Sequence, residues 1–390
     1  MGRILADRFA EGLGHALPRT PEQLAHPEVV NELLRNHTPA GETPLPPVRG
    51  VRLPGVAFES SNCQNFLIEI EFDADAPKQE ALPRTAYVKL PCAELGTRAF
   101  ANTVGFWEVE AIFCERIASR VPIRVPRVYA VARRGSRFVL LLEDLRELPG
   151  VRLFINRDMA AGTTAERARM CLRSFAELHA AFWGWTQEQR DRLVPARLHT
   201  YLGPGGREMT RALNAAAIAP AHKAAPEIFT KEHASLFRQA TEKWDELIEA
   251  WYSGPLTLVH GDSHLANCFE YNSPEGPRMG MLDFQGMHWC KGIRDVQYFL
   301  INSLEPELLT RHEGELIDAY VAALAERGVA LDPEAARDQY RAFSFQTLMV
   351  AVTSIGLGSL TERDATVRTV LRRSVAAIDR LGFGDWLEDL

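Results

Sequence analysis

The spacing of apolar residues changes along the chain, from a period of two between about residues 50 and 145 to a helical period beyond about 160. Alternation predicts two strands, in "NFLIEIEF" (65–72) and "TAYVKLP" (85–91). A helix follows in "TVGFWEVEAIFCERIASRV", whose apolar residues share one face, and then a hairpin in "RVYAVARRGSRFVLLLEDL" around the turn "RRGS". The order strand, strand, helix, strand, strand predicts a small α+β lobe.

The second half of the chain is mainly helical in its pattern. A threonine cap begins the long amphipathic run "TTAERARMCLRSFAELHAAFWGW", and several more helices follow residue 294. Two short apolar segments interrupt this pattern, "LTLVHGD" (256–262) and "RMGMLDF" (278–284), with the turn-rich "YNSPEGP" between them. We predict that they pair as a hairpin whose polar ends both carry an aspartate.

These patterns predict three regions. Residues 1–48 form a helical extension, with Thr20 as N-cap and Pro21 at the first helical position, and a proline-rich linker. Residues 49–145 form a β-rich N-lobe, and residues 146–390 form a large, mainly helical C-lobe. A chain of 390 residues exceeds the usual size of a single core, which favours a bilobal α+β architecture.

Composition narrows the choice of partners. A net charge of -7 argues against a nucleic-acid partner, because binding to phosphate backbones requires clustered lysine and arginine. The apolar runs are shorter than a membrane span requires, and we expect neither a span nor a signal peptide. The six cysteines are scattered singly, which is typical of free thiols in a reducing compartment. We therefore expect a cytoplasmic protein.

The stretch "LVHGDSHLANCFEY" (258–271) contains two histidines, an aspartate and an asparagine. One hypothesis is a metal-dependent hydrolase that uses His260, Asp262 and His264, with Asp283 and His288 further along. Zinc-binding histidines at i and i+4 need a helix. Gly261 and the extended run before it disfavour a helix, and this hypothesis also leaves the N-lobe residues unexplained.

Phosphoryl transfer requires a different set of residues. It needs an aspartate that orients and deprotonates the acceptor hydroxyl, an asparagine a few residues later, and a second aspartate after a strand; the last two hold Mg²⁺. Asp262, Asn267 and Asp283 occur in this order. Lys89 on the second predicted strand and Glu110 on the following helix match the lysine and glutamate that orient the nucleotide phosphates.

The chain resembles the aminoglycoside phosphotransferase/choline kinase superfamily of protein-kinase-like folds. The resemblance covers about residues 50 to 380 and rests on "LLLEDL", "AELHAAFWG", "HGDSHLAN" and "LDFQ … RDVQYFL". These motifs are most similar to the ecdysteroid-kinase-like and bacterial putative phosphotransferase branch. The resemblance implies a bilobal protein-kinase-like fold with a nucleotide-binding N-lobe.

The resemblance also implies roles in the C-lobe. Asp262 is the catalytic base, and Asn267 and Asp283 hold Mg²⁺. Three further residues support the catalytic loop: His260, His264 and Asp295.

In the N-lobe, the resemblance implies that Lys89 and Glu110 form the phosphate-orienting ion pair, with Glu108 as the rival partner. The backbone of three residues would form the hinge that binds adenine: Glu143, Asp144 and Leu145. The chain has no glycine-rich loop, and the equivalent turn is "FESSNCQN" (58–65). There we expect Ser60, Ser61 and Asn62 to cover the phosphates with backbone N–H groups and hydroxyls.

The sequence thus predicts an ATP- and Mg²⁺-dependent kinase that phosphorylates a hydroxyl group of a small molecule. Aromatic residues in the C-lobe favour a fairly apolar alcohol: Trp183, Trp185, Trp289, Tyr298, Phe299, Phe343 and Phe345. An aminoglycoside phosphotransferase is the alternative, because "EPELL" and "HEGELID" (305–318) supply carboxylates for a polycationic acceptor. A metal-dependent hydrolase and a non-catalytic nucleotide-binding relative are less favoured.

Overall fold

The computed structural model describes residues 17–58, 60, 62–74, 82–358 and 365–390. The chain forms two compact units. The first runs to Val151 and includes Asp283–Gly286, and the second comprises Arg152–Leu282 and Met287–Leu390. The first unit contains a large antiparallel sheet and the second is mainly helical, so the fold is α+β, as predicted. The predicted boundaries at residues 48 and 145 stay predictions.

The sheet of the first unit has six strands in the order β1-β3-β4-β6-β5, with β2 paired to β3. The strands are β1 Val48–Arg52, β2 Ala57–Phe58, β3 Cys63–Phe72, β4 Thr85–Pro91, β5 Val128–Arg134 and β6 Arg137–Glu143. The strands predicted at 65–72 and 85–91 are β3 and β4, and the predicted hairpin is β5 and β6. Sequence alternation therefore located the centre of this sheet correctly.

One face of the sheet packs against two N-terminal helices, α1 (Pro21–Leu24) and α2 (Pro27–His37). Even-numbered residues of β4, such as Val88, belong to this core. Because side chains alternate along a strand, Lys89 lies on the opposite face. Thr20 stands at the N-cap of α1 as predicted, although its side chain makes no capping hydrogen bond.

The helix predicted within residues 103–121 is interrupted twice. Helix α3 (Leu95–Val104) ends at Gly105, whose φ of 80° lies in the left-handed region that glycine tolerates. Helix α4 (Phe106–Ile112) follows and continues into a π-helical turn, Phe113–Ile117. Such π-turns insert one extra residue per turn and often occur at functional sites.

The second unit consists mainly of eleven helices among its described residues. They are α5 Asn156–Ala161, α6 Ala165–Phe182, α7 Gln187–Leu193, α8 Gly206–Ala224, α9 Lys231–Glu242, α10 Trp244–Tyr252, α11 Ile293–Ser303, α12 Pro306–Ala325, α13 Pro333–Leu357, α14 Ala365–Leu381 and α15 Phe383–Glu388. Thr164 caps α6 by accepting a hydrogen bond from the Arg167 N–H, as the sequence predicted. In the described ranges, no helix has the length and hydropathy that a membrane crossing requires.

The predicted hairpin between 256–262 and 278–284 is wrong. Strand β8 (Thr257–Val259) pairs instead with β11 (His288–Cys290). Strand β10 (Gly276–Met281) pairs with β9 (Cys268–Ser273), which also pairs with β7 (Arg152–Leu153). The turn was located correctly, but β9 was missed because its apolar residues are few. An apolar run shows that a strand is buried and does not specify its partner.

Candidate active site

Lys89 lies at the centre of a buried charge cluster in the first unit. Its ammonium is 2.5 Å from the Glu110 carboxylate and 3.2 Å from that of Asp283. Lys89 and Glu110 are 4% and 3% exposed, respectively. The predicted ion pair is therefore confirmed, whereas Glu108 pairs with Arg133 at 3.2 Å. The role of the pair in binding phosphates stays a prediction.

Burial and neighbouring charges shift the pKa values of Lys89 and Glu110 in opposite directions. Burial alone would lower the pKa of the Lys89 ammonium, but the charges of Asp283 and Glu110 outweigh it and raise the pKa well above its usual value. Burial raises the pKa of Glu110 to about 7, although the ammonium opposes this. The second oxygen of Glu110, Oε2, is buried without a hydrogen-bond partner in the described part of the chain. The cluster thus retains acceptor capacity beyond the ion pair.

Asp283 has an unusual backbone conformation. Its φ is +64°, and among the described residues other than glycine it alone has a positive φ. Aspartate tolerates this region better than most residues. The next residue, Phe284, stacks on Phe113 with ring centroids 3.7 Å apart. The segment that carries Asp283 is thereby attached to the helix that carries Glu110.

The predicted nucleotide loop makes specific contacts of its own. Ser60 Oγ accepts a hydrogen bond from the Cys63 N–H at 3.3 Å. The Asn62 amide donates to Gln285 Oε1 at 2.8 Å, and its oxygen accepts from the Cys63 thiol. The Asn62 side chain is therefore engaged within the protein. Ser61 lies outside the described residues.

The predicted hinge follows β6, and its side chains are held by neighbours. Glu143 accepts from the Arg127 N–H at 3.0 Å. Asp144 accepts from the Thr85 hydroxyl at 2.7 Å and from Arg146 Nε at 2.6 Å. Leu145 begins a short 3₁₀ turn. These contacts fix the course of the backbone from residue 143 to residue 145. The role of this segment as a hinge for adenine stays a prediction.

In the second unit, His260 shapes the loop that begins after β8. Its Nδ1 accepts from the Asp262 N–H at 3.2 Å, so the neutral ring carries its proton on Nε2, which donates to the Leu282 carbonyl at 2.9 Å. Both ring nitrogens are therefore committed. Gly261 has a φ of 84°, which the tight turn requires.

Asp262 faces several cationic and hydrogen-bonding groups. His264 Nε2 is 3.6 Å from its Oδ1, and the Asn267 amide nitrogen is 3.2 Å from its Oδ2. Burial alone would raise the pKa of Asp262, but His264, followed by His260 and Arg294, lowers it well below its usual range. Asp262 is therefore an anion at neutral pH.

The Asn267 amide is oriented by the same aspartate. Its nitrogen also donates to the Asp262 carbonyl at 2.8 Å. With the nitrogen committed in this way, the amide oxygen is the atom that remains to ligate a cation. Carboxylate and amide oxygens suit Mg²⁺, which usually takes one or two protein ligands and completes its shell with water and phosphate oxygens.

Asp295 holds the start of the loop from helix α11. Its carboxylate accepts from the His260 N–H at 2.6 Å and the Gly261 N–H at 3.1 Å. At the other end of the same helix, Ser303 Oγ accepts from the Leu265 N–H at 3.0 Å. Burial opposes ionisation of Asp295, but His179 and Arg294 lower its pKa well below the usual range. The predicted support of the loop by Asp295 is thus present as a set of hydrogen bonds.

Sequence reasoning missed His179. This fully buried ring lies 3.2 Å from Asp295 Oδ2 through Nε2 and 2.8 Å from the Tyr320 hydroxyl through Nδ1. Gly292 makes room for it, because a Cβ there would meet the Tyr320 hydroxyl at 2.3 Å and His179 Nδ1 at 2.7 Å. The histidine belongs to "AELHAAFWG", so the motif was noticed while its role was not.

The hydrolase hypothesis finds no support in the second unit. Across the described ranges, no three His, Cys, Asp or Glu side chains are grouped so as to hold a metal ion. Both nitrogens of His260 bind protein atoms, which removes it as a ligand. The six cysteines are free thiols, as predicted.

Solved structures of small-molecule kinases are similar to this chain. A choline kinase from Cryptosporidium parvum matches with a TM-score of 0.51 and 12% identity, over 93% of this chain and 99% of that one. An ethanolamine kinase from Plasmodium vivax matches with a TM-score of 0.46 and 12% identity, over 83% of this chain and 81% of that one. No curated protein matches the sequence. The first likeness confirms the predicted kinase-like α+β fold.

A family model identifies the chain more specifically. The model of the ecdysteroid kinase-like family matches residues 70–331, which is more than half of the chain. The chain belongs to the ecdysteroid kinase-like family, and the resemblance drawn from its motifs is confirmed. It is a small-molecule kinase.

Proposed function

We propose that the protein transfers the γ-phosphate of ATP, with Mg²⁺, to a hydroxyl group of an uncharged and fairly apolar small molecule. The observation that carries the proposal is the buried Lys89 ammonium between Glu110 and Asp283. A buried lysine held by a glutamate and shared with an aspartate is the arrangement that kinases use to orient nucleotide phosphates. An ion pair with a purely structural role would require only one carboxylate beside the lysine.

The nucleotide contacts follow from the first unit. Lys89, held by Glu110, orients the α- and β-phosphates. The backbone of residues 143–145 binds the base, and the loop at Ser60–Asn62 covers the phosphates. Asp283 and the amide oxygen of Asn267 are the proposed protein ligands of the metal. When bound, Mg²⁺ neutralises charge on the β- and γ-phosphate oxygens.

Asp262 orients the acceptor hydroxyl and receives its proton. Because the pKa of Asp262 lies well below its usual range, the carboxylate accepts a hydrogen bond from the hydroxyl without removing the proton early. The acceptor oxygen bonds to the γ-phosphorus as the bond from phosphorus to the ADP oxygen breaks, and the proton passes to Asp262. A loose transition state requires little deprotonation before this transfer.

The charges of the second unit favour an uncharged acceptor over an aminoglycoside. The segment 305–318 carries the five carboxylates that would attract a polycation. Four of them pair with arginines: Glu305 with Arg372 and Arg373, Glu313 with Arg380, Glu315 with Arg169, and Asp318 with Arg337. Their charge is thereby balanced within the protein.

Five of the seven aromatic residues that the sequence offered as a pocket wall divide into two groups. Phe299, Phe343 and Phe345 are fully buried core residues. Trp185 and Trp289 pack against each other with ring centroids 5.9 Å apart, and Trp289 neighbours His288 on β11. The tryptophans therefore support the apolar acceptor more strongly than the phenylalanines do.

The proposal is tested by incubating a small-molecule extract of cells with the protein, ATP and Mg²⁺. Mass spectrometry then identifies metabolites that gain one phosphoryl group. We expect a phosphorylated neutral alcohol with wild-type protein and none with Asp262→Asn. Phosphorylation of cationic amino sugars alone would contradict the acceptor class. A stoichiometric transition metal in the purified protein, together with hydrolysis and no phosphoryl transfer, would contradict the kinase function.

A further inference from the structure

Helix α11 holds the catalytic loop at two points, and the second of them is Ser303. Its hydroxyl oxygen accepts a hydrogen bond of 3.0 Å from the backbone N–H of Leu265. Ser303 is fully buried and Leu265 is 1% exposed, so this N–H is shielded from water and depends on the serine for its acceptor. Asp295, the first point, holds the N–H groups of residues 260 and 261 instead. The two contacts therefore act on different parts of the loop.

The 3₁₀ turn Leu265–Asn267 connects the serine contact to the proposed metal ligand. The backbone of Asn267 is bonded within this region, because its N–H donates to the His264 carbonyl at 2.9 Å and its carbonyl accepts from the Leu282 N–H at 3.0 Å. Helix α5 packs against the same turn. Since the turn has only three residues, a displacement of Leu265 is passed on to Asn267.

The end of α11 that carries Ser303 is fixed by groups from other segments. The Ser303 carbonyl accepts from the Thr163 N–H at 2.8 Å. The buried guanidinium of Arg373, on α14, donates to the Asn302 carbonyl and to the Met159 carbonyl of α5, the latter at 2.8 Å. Carbonyls in the last turn of a helix lack partners within the helix, and a cation beside them also interacts favourably with the helix dipole. The Ser303 hydroxyl is thus attached to a firmly held helix end.

We propose that Ser303 is a positioning residue for the metal site, with its hydroxyl holding the turn that carries Asn267. This inference rests on the proposed function, in which the Asn267 amide oxygen is a ligand of Mg²⁺. Binding of Mg²⁺ demands near-ideal octahedral geometry, so a small displacement of one protein ligand weakens it. Asp295 positions the base and Ser303 positions the metal ligand. One helix thus serves both functional groups of the loop through separate contacts.

Ser303→Ala removes the acceptor of the buried N–H and leaves every proposed ligand in place. Isothermal titration calorimetry then measures the affinity for an ATP analogue that cannot transfer its γ-phosphate, with and without Mg²⁺. We expect the ratio of these two affinities to fall about threefold to tenfold in the variant, as for loss of one neutral hydrogen bond. We expect the affinity without Mg²⁺ to stay within about twofold. If Ser303→Ala does not fold, Ser303→Cys is titrated in its place, because its thiol fills the same space and is a weak acceptor.

Ser344→Ala is the matched control. Ser344 is also fully buried, on α13, and its hydroxyl donates to the Arg341 carbonyl of the same helix at 2.6 Å. The substitution removes a buried serine hydroxyl without touching the catalytic loop. We expect its affinity for the analogue to equal that of the wild type within about twofold, both with and without Mg²⁺, whatever its effect on unfolding.

A double-mutant cycle tests whether the effect of Ser303 passes through Asn267. Ser303→Ala, Asn267→Ala and the double variant are compared with the wild type in the same titrations. We expect Ser303→Ala to lower the affinity ratio when Asn267 is present and to have little further effect when Asn267 is alanine. Additive effects of the two substitutions would overturn the inference.

The titrations need neither an acceptor nor turnover, and they separate the inference from the proposed function. If Mg²⁺ left the affinity of the wild type unchanged, the metal site of the proposed function would be wrong, and the inference with it. If Mg²⁺ strengthened binding equally in the wild type and in Ser303→Ala, only the inference would be wrong. If the wild type phosphorylated no hydroxyl acceptor, the proposed function would fail, while the titrations would still decide the role of Ser303.

Discussion

The backbone N–H of His260 donates a hydrogen bond of 2.6 Å to Asp295, a residue 35 positions away on helix α11. The same carboxylate binds the Gly261 N–H, so the first turn of the catalytic loop depends on a buried anion. The position of Asp262 is therefore determined by a side chain outside its own loop.

Asp295→Asn tests this dependence. The asparagine side chain replaces one accepting oxygen with an NH₂ group, which donates. The groups around Asp295 are all donors, so at least one buried donor loses its acceptor. We expect the free energy of unfolding to fall by about 3 kcal/mol, as for loss of one partner of a buried charged pair. We also expect turnover to fall at least tenfold. Urea unfolding and initial rates measure the two effects. If the variant had the stability and the rate of the wild type, the conformation of the loop would not depend on Asp295.

Gly292→Ala tests the histidine that supports Asp295. The added Cβ would lie 2.3 Å from the Tyr320 hydroxyl and 2.7 Å from His179 Nδ1, so His179 or the helix must move. We expect a loss of about 1 to 3 kcal/mol in unfolding free energy and a lower kcat. Gly314→Ala on α12 is the control, because no atom lies within 4 Å of its added Cβ. For Gly314→Ala we expect the free energy of unfolding to rise by about 0.5 to 1 kcal/mol. Equal effects of the two substitutions would contradict the claim that Gly292 makes room for His179.

Lys89→Met is expected to abolish tight nucleotide binding and to lower the free energy of unfolding by about 3 kcal/mol. The physical reason is that Glu110 stays buried without its cation. The double variant Lys89→Met/Glu110→Gln is expected to recover most of the stability but none of the nucleotide affinity. Isothermal titration calorimetry and urea unfolding provide the two measurements. If Lys89→Met bound ATP as tightly as the wild type does, the assignment of Lys89 to the nucleotide site would be wrong.

The pKa of Asp262 and that of Asp295 predict the stability of the protein in acid. Both are held well below the usual 3.8 in the folded state. Each carboxylate therefore contributes stability above about pH 4, and this contribution is lost as the pH falls through the lower folded value. We expect the urea midpoint to fall steeply below about pH 4, and less steeply in Asp295→Asn. Identical slopes would show that Asp295 has an ordinary pKa.

Glu110 makes the stability of the protein depend on pH in the opposite direction. Its folded pKa of about 7 exceeds the usual 4.5, so the folded state binds more protons than the unfolded state between these values. The corresponding stability is present below about pH 4.5 and is lost as the pH rises to about 7. In Glu110→Gln the unfolding free energy is expected to vary less over this interval. An unchanged pH dependence would mean that Lys89 keeps Glu110 ionised throughout.

The sequence predicted the residues whose chemistry follows from their type and order. Asp262, Asn267 and Asp283 were chosen as candidates because phosphoryl transfer needs these groups in this succession, and Lys89 because its strand was evident from alternation; their catalytic roles stay predictions. The choice of Glu110 over Glu108 is resolved by the ion pair with Lys89.

Asp295 was predicted from the resemblance, but the residue that supports it was not predictable in the same way. His179 and Asp295 are separated by 116 positions, and neither residue type indicates the other. The partner of strand β8 was assigned wrongly for a related reason, since short apolar runs do not encode their pairing. Contacts between distant segments depend on packing, which periodicity does not describe.

The central claim is that Asp262 directs phosphoryl transfer from ATP to an uncharged hydroxyl. Its most direct test measures transfer of a labelled γ-phosphate, with Mg²⁺, from ATP to a panel of neutral apolar alcohols, using wild type and Asp262→Asn. The account predicts transfer by the wild type, a loss of about 10²- to 10⁴-fold in kcat for Asp262→Asn, and an unchanged ATP affinity. Equal rates for the two proteins would contradict it.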